Sequence, residues 1–476
     1  MNYSNLLNRY PVFEQIRTVA DKLQLETYVV GGFVRDLFLQ RPSQDIDIVC
    51  VGSGIQLAQL VAQALGGDIK VSVFKNFGTA MLRWEGWELE FVGARKESYS
   101  RDSRKPIVEN GTLADDQYRR DFTINTLAIG LHSGQWGELV DDLGGMEDLQ
   151  RQVIQTPLDP LVTFSDDPLR MMRAIRFSTQ LQFTISPATL MAIQQNAARI
   201  KIVSQERITA ELNKIMAAKT PAHGLKLLLQ TGLLALIFPE LAALQGTETI
   251  QGYSHKDNFY HTLQVLDNVA NASANLWLRW AALLHDIAKP LTKQFDPVTG
   301  FSFHGHEDVG AKMTPKVFRK MKLPLRRKMA YVQKLVRLHL RPIVLAQDMV
   351  TDSAIRRLLV EAGDTLADLM LLCRADITSG DPAKVQRYRQ NFDRVEEKLR
   401  QVAAKDHIRN FQPVITGNII MQTFHLKPCK LVGAIKGAIK EAILEGVIEN
   451  EYEEAYQYML ALGRARGLRL SHGSIG

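Results

Sequence analysis

The chain has 476 residues, 46% of them hydrophobic and 23% charged. That is a globular composition too long for one ordinary core, and at about 150 residues per domain it predicts roughly three domains. No apolar run approaches the roughly 18 residues needed to span a bilayer, and MNYSNLLNRYPVFEQ lacks the charged and apolar regions of a secretion signal, so a cytoplasmic protein without membrane attachment is expected. The formal net charge of +7 favours a polyanionic partner without establishing one, and Cys50, Cys373 and Cys429 are scattered without metal-ligand spacing, as in a reducing compartment.

In chain order, Val12, Ile16, Val19, Ala20 and Leu23 predict an amphipathic opening helix. Short β-rich runs follow at Thr27 to Val30, Asp45 to Val51 and Glu88 to Ala94, which makes the first third an α+β or α/β unit. From about Pro168 helix periodicity takes over, with Gly232 breaking one helix before another within Ala222 to Leu236. Gln251 to Asp257 reads as a linker into a helical unit that begins near Phe259, and Arg400 to Gln412 as a second junction.

Asp45 and Asp47 alternate with Ile46 and Ile48, so both carboxylates project from one face of a strand. Taken alone they fit a solvated strand end; a divalent cation such as Mg²⁺, which takes one or two carboxylates plus substrate phosphates, would relieve their repulsion. Gly31 and Gly32 sit between a strand and a helix, where backbone N–H groups can meet a phosphate, with Arg35 about one turn on. Asp36 is open between pairing with Arg35 and a local cap. A third acid is expected from a neighbouring strand, where Glu88 and Glu90 share a face and periodicity does not choose between them.

GGFVRD and DIDIV, then Phe77-Gly78-Thr79, then Arg119-Arg120-Asp121-Phe122-Thr123-Ile124-Asn125, then Asp166-Asp167-Pro168-Leu169-Arg170 with Arg173-Ala174-Ile175-Arg176-Phe177, resemble the bacterial tRNA nucleotidyltransferase and poly(A) polymerase family. This is class II of the DNA polymerase beta nucleotidyltransferase superfamily. The resemblance implies that Asp45, Asp47 and Glu90 are the catalytic, Mg²⁺-binding acids. It implies that Gly31, Gly32, Arg35, Arg119, Arg120, Asp121, Asn125 and Arg173 handle the incoming nucleotide, and that Asp167 and Arg170 read its base edge. Chemically, a carboxylate and a guanidinium together offer the acceptors and donors to read a Watson–Crick edge. The family motif opens Glu-Asp where this chain has Asp166-Asp167; without the other motifs these residues fit a helix N-cap with an i,i+3 ion pair. The charged insert from Arg95 to Tyr118, with Arg101, Asp102, Arg104, Pro106 and Gly111, is expected to be structureless and resembles the family's flexible loop for the switch from C to A incorporation. Glu206-Arg207-Ile208 with Glu211 and Lys214 resemble neck helices of low functional content.

A second constellation lies in the helical half. His261 opens a helix, His285-Asp286 closes another, His304 and His306 lie in a Gly-containing turn, His339 ends a helix and Asp376 follows Cys373-Arg374-Ala375. Imidazoles and carboxylates on separate helices can converge on a metal in a bundle core. H…HD…D resembles the HD phosphohydrolase superfamily, which implies His261, His285, Asp286 and Asp376 as ligands of a second divalent metal, Mg²⁺ or a transition metal. His306, preferred over His304, and His339 resemble its second-metal ligands. Lys427, Lys430, Lys436 and Lys440, with the basic run Arg319 to Lys328, offer surface for RNA phosphates.

The resemblance implies an α+β fold with a DNA polymerase beta-like nucleotidyltransferase palm over 1–150, a helical neck and body over 151–250, an HD domain over 251–400 and a helical C-terminal segment over 401–476. The implied activity is template-independent, Mg²⁺-dependent addition of CCA to the 3′ end of tRNA from CTP and ATP, with no protein partner. The competing readings are a poly(A) polymerase or A-adding enzyme, an HD-type phosphohydrolase, and a non-catalytic RNA-binding module.

Overall fold

The computed structural model of the chain describes residues 1–66, 68–75, 78–100, 103–346, 351–378, 381–405 and 413–469. Phe77, Arg101, Asp102 and 406–412 of the second junction lie outside the described residues. The chain divides into two compact units, Met1–Ala243 and Leu244–Gly476. Among the described residues no helix is long and apolar enough to cross a membrane.

The first unit is built on strands β1 (Thr27–Val30), β2 (Asp45–Cys50), β3 (Ser72–Phe74), β4 (Thr79–Trp84) and β5 (Trp87–Gly93). Two further strands, β6 (Arg95–Ser100) and β7 (Ser103–Asn110), form a separate hairpin, and β8 (Ala128–Gly130) and β9 (Leu139–Val140) return to the main sheet. The main sheet runs β3-β4-β5-β2-β1-β8-β9, and the β2–β5 pairing is parallel. Ile46 and Ile48 are fully buried, while Asp45 and Asp47 on the other side of the strand are exposed and half-buried, so alternation sets the acids outward as expected. The helix Pro11–Lys22 buries Val12, Phe13, Ile16, Val19 and Ala20, the predicted stripe. The helix Gly54–Ala64 packs against β4 and β5.

The Arg95 to Tyr118 insert is not structureless. It folds into the β6–β7 hairpin and a helix, Leu113–Tyr118, started by a capping box in which Thr112 and Asp115 satisfy each other's backbone N–H groups. A two-stranded ribbon has two edges and tolerates proline, so Pro106 and the run of charges hid it from a reading based on apolar alternation. The helices Pro160–Asp166, Leu169–Leu181, Pro187–Asn196, Gln205–Met216, Pro221–Gln230 and Leu233–Ile237 follow, and Gly232 (φ +77°) separates the last two as predicted.

In the second unit, Gln251 to Asp257 is not a plain linker. Gln251 and Gly252, both at positive φ, turn a hairpin between Thr249–Ile250 and Tyr253–Ser254, and Asp257 caps the helix Asn258–Ala272. The helices Leu276–Leu284, His306–Lys320, Arg327–Leu338 and Leu366–Asp376 complete the bundle that carries the histidines. The helix Pro382–Lys405 runs into the expected second junction. The helices Gly417–Phe424, Lys430–Glu445 and Tyr452–Ala465 share a core of Ile420, Phe424, Ile435, Ile439 and Met459.

Candidate active site

A cleft of about 1220 Å³ in the first unit has the acids of β2 and β5 on one wall, and the ends of the helices Gly32–Phe38 and Leu113–Tyr118 together with the helix Leu169–Leu181 on the others. Parallel register sets Asp47 beside Glu90 and Asp45 beside Glu88. Glu88 is engaged by Arg83 (Nε to Oε2 2.8 Å), whereas burial and then Asp47 raise Glu90 above the ordinary carboxylate range. Burial, and then Asp45, raise Asp47 in the same way, with Arg120 opposing. Crowded carboxylates of this kind at the mouth of a polar cleft fit a hard divalent cation that keeps waters and takes further oxygens from a substrate. The three do not close on one another as tightly as the histidine cluster described below.

Gly31 adopts φ +74°, and a β-carbon there would lie 2.8 Å from Arg120 Nη1 and 3.3 Å from Asp47 Oδ2. Its own N–H donates to the Leu127 carbonyl. The expectation that this amide cradles a phosphate is therefore corrected: Gly31 supplies space for Arg120 and Asp47. Arg35 is buried, and its nitrogens donate to Asp36 and to Asn125 Oδ1.

Arg119 and Arg120 leave the end of the helix Leu113–Tyr118 and both clasp Asp116, a completely buried carboxylate absent from the sequence reading. Despite burial, Arg120 and Arg119 hold Asp116 below its ordinary range. The spacing Asp116-x-x-Arg119-Arg120, an i,i+3 and i,i+4 pattern, was the available signal. Asp121 is buried, accepts from Asn125 Nδ2 (2.9 Å) and Arg173 Nε (2.6 Å), and is held at about 2 against burial by Arg173 and Asn125. Asp167 Oδ1 accepts from the Leu169 N–H at the start of the helix Leu169–Leu181, and Arg170 Nη2 donates to the Arg119 carbonyl, so the base-reading candidates are oriented by backbone groups.

Arg176, Arg207 and Lys214 line the same cleft, although the neck residues among them carried no functional expectation. Buried Arg176 meets buried Glu211 (Nε to Oε2 3.1 Å), which ties the helix Leu169–Leu181 to Gln205–Met216. Arg170, Arg173, Phe177 and Gln180 recur at three-to-four spacing, the one-faced stripe that could have revealed this wall.

In the second unit the helix ends converge. Asp286 is a bridge: its Oδ2 faces His261 Nε2 (3.6 Å) and His285 Nε2 (3.3 Å), and its Oδ1 faces His306 Nε2 (3.2 Å) and His339 Nε2 (3.9 Å). Asp376 joins the first group, 2.9 Å from His261 Nε2. Each imidazole bonds outward through Nδ1, to Thr378 Oγ1 for His261 and to the carbonyls of Ala282, Phe303 and Val336 for His285, His306 and His339. Those bonds to carbonyls make Nδ1 the protonated nitrogen and turn the Nε2 lone pairs inward. His306 Nε2 and His339 Nε2 then face each other at 3.3 Å, and His285 Nε2 is buried without a hydrogen-bond partner. Facing lone pairs around a shared carboxylate fit a pair of divalent cations. Against burial, Asp286 and Asp376 push His285 up to about 10, so the two carboxylates favour positive charge at the centre of the cluster. His304 is exposed and outside the cluster, as preferred from sequence. Lys289, whose Nζ lies 2.6 Å from Asp286 Oδ2, was missed; it follows His285-Asp286 by one helical turn.

Three family models match: the poly A polymerase head domain over 27–155, "Probable RNA and SrmB- binding site of polymerase A" over 182–245, and the HD domain over 258–381. An A-adding tRNA nucleotidyltransferase of Deinococcus radiodurans is 36% identical over 342 residues, 69% of this chain and 74% of that protein. A CCA-adding enzyme of Anoxybacillus flavithermus is 36% identical over 278 residues, 57% of this chain and 64% of that protein. The structure of the Bacillus stearothermophilus CCA-adding enzyme in complex with CTP superimposes with a TM-score of 0.67 at 25% identity, covering 96% of this chain and 99% of that one. Sequence, cleft and relatives agree: the chain belongs to the tRNA nucleotidyltransferase family, with a nucleotidyltransferase head domain and an HD domain.

Proposed function

We propose that this protein adds C, C and A to the 3′ end of tRNA, from CTP and ATP, with release of pyrophosphate. The observation that carries the reading is one cleft with Asp45, Asp47 and Glu90 on one wall facing Arg119, Arg120, Asp167, Arg170 and Arg173 on the others. Mg²⁺ held by the three acids would lower the pKa of the terminal 3′-OH and neutralise the triphosphate. The chain's own side chains do the rest. Arg120, fixed by Asp116, and its neighbour Arg119 present positive charge to the phosphates. Asp167 and Arg170, held by the helix end and the Arg119 carbonyl, present one acceptor and a fork of donors to the base edge, so no template strand is needed. Lys427, Lys430, Lys436 and Lys440 would meet backbone phosphates, and such contacts position rather than specify.

The Deinococcus radiodurans relative favours a second reading, an enzyme that adds only A. Incubating tRNA that lacks its last three nucleotides, and in parallel tRNA that ends in CC, with CTP alone, ATP alone or both separates the readings by product length. Two added C residues with CTP, and CCA with both, support CCA addition; extension only of a tRNA already ending in CC supports A addition, and long A tails support a poly(A) polymerase.

The HD cluster supports a separate pair of divalent metals held by His261, His285, Asp286, His306, His339 and Asp376. Metal there would activate water for phosphoester hydrolysis. Opening of 2′,3′-cyclic phosphates to monophosphates, or release of inorganic phosphate from terminal phosphates, by metal-loaded protein, lost in Asp286→Ala, would establish it. Free Cys50, Cys373 and Cys429 support a reducing, cytoplasmic setting.

A further inference from the structure

We infer that Asp36 is a positioning residue for the incoming nucleotide, acting through a hydrogen-bonded relay that runs from Asp36 to Arg173. The inference rests on the nucleotidyl-transfer reading. Arg35 Nε and Nη2 donate to the two carboxylate oxygens of Asp36, each at 2.9 Å. Arg35 Nη1 donates to Asn125 Oδ1 at 2.8 Å, Asn125 Nδ2 donates to Asp121 Oδ1 at 2.9 Å, and Arg173 Nε donates to Asp121 Oδ2 at 2.6 Å. The Phe177 ring lies under both guanidiniums, 5.0 Å from Arg35 and 5.5 Å from Arg173.

The polarity of this chain leaves no alternative arrangement. Asp36 and Asp121 only accept, Arg35 and Arg173 only donate, and Asn125 is the adaptor whose oxygen must face Arg35 and whose nitrogen must face Asp121. A bidentate carboxylate holds the planar guanidinium in one orientation as well as neutralising it. Without Asp36 the Arg35 fork is free to rotate, the Asn125 amide loses its fixed acceptor partner, and Asp121 shares its hold on Arg173 less well. Asp36 lines the cleft with its side chain about 15% exposed, but both its carboxylate oxygens are taken by Arg35, which lies between it and Asn125, so its effect reaches the nucleotide through that neighbour.

The test uses the full chain. Asp36→Asn is expected to raise the Kd for CTP in Mg²⁺ and the KM for CTP and ATP roughly tenfold, with kcat changed by less than about threefold. Asn125→Ala should do the same, and the Asp36→Asn/Asn125→Ala double variant should be no weaker than the weaker single. Multiplied effects in the double variant, or an unchanged CTP Kd in a folded Asp36→Asn protein, would overturn the relay. Should Asp36→Asn not fold, Asp36→Glu keeps the charge and displaces Arg35 by one methylene; a few-fold rise in Kd, coupled to Asn125→Ala, is expected, and independent effects overturn the proposal. A parent protein that extends no tRNA would reject the transfer reading, while the CTP titrations would still decide the relay.

Discussion

Replacing Gly31 by alanine tests the link between one backbone angle and the arginine that faces the acids. At φ +74° and ψ −136° a residue with a β-carbon is strained by about 1–3 kcal/mol. The added carbon also sits 2.8 Å from Arg120 Nη1, about 0.6 Å short of ordinary contact, so the guanidinium must shift. That guanidinium is tied to buried Asp116 at 2.9 Å through Nε and 2.8 Å through Nη2, and loosening such a charged pair costs on the order of 1 kcal/mol. Together these give about 3 kcal/mol, which for a unit of this size lowers its melting temperature by roughly 6–12 °C. A misplacement of this order beside the reacting atoms should slow nucleotide incorporation roughly tenfold to a hundredfold. Differential scanning calorimetry and single-nucleotide extension of tRNA measure the two effects. A Gly31→Ala protein that melts within about 1 °C of the parent and extends tRNA at the parental rate would refute the reasoning.

Further outcomes are expected. Asp45→Asn, Asp47→Asn and Glu90→Gln should each reduce incorporation by roughly a hundredfold or more, whereas Glu88→Gln, which loses an ion pair to a largely exposed Arg83, should stay within about threefold in the same extension assay. Asp121 is held at about 2 in the folded chain against 3.8 when free, so its contribution of about 2 kcal/mol is complete above about pH 4 and is lost as pH falls through about 2. Asp121→Asn should therefore lower the urea midpoint at pH 7, and the gap from the parent should narrow on acidification. In the second unit, isothermal titration with Mn²⁺ after chelator treatment should show two sites, with His306→Ala losing one and Asp286→Ala both; full stoichiometry in Asp286→Ala would exclude it as the bridge.

The motifs of the first unit were legible because each is local. Strand alternation alone put Asp45 and Asp47 on one face, and the H…HD…D order, through its resemblance to HD proteins, pointed to His261, His285, Asp286 and Asp376 at helix ends. Local pattern misled where it lacked apolar rhythm, as in the β6–β7 hairpin, and where a backbone group has two possible partners, as with the Gly31 amide and the Leu127 carbonyl.

In the sequence, alternation and short-range spacing placed the strands and helices, and the ordered motifs, through their resemblance to a known family, pointed to most of the side chains that line the cleft. The tertiary structure decided among partners. The parallel register of β2 with β5 set Glu90, the acid the resemblance implied and strand periodicity left open, beside Asp47, and the fold closed Asp36, Arg35, Asn125, Asp121 and Arg173 into one relay across three motifs. It also brought Asp286 between two pairs of imidazoles. The reason is physical: the direction of a side chain follows from its own strand or helix, but its partner is chosen by register and packing between segments distant in the chain.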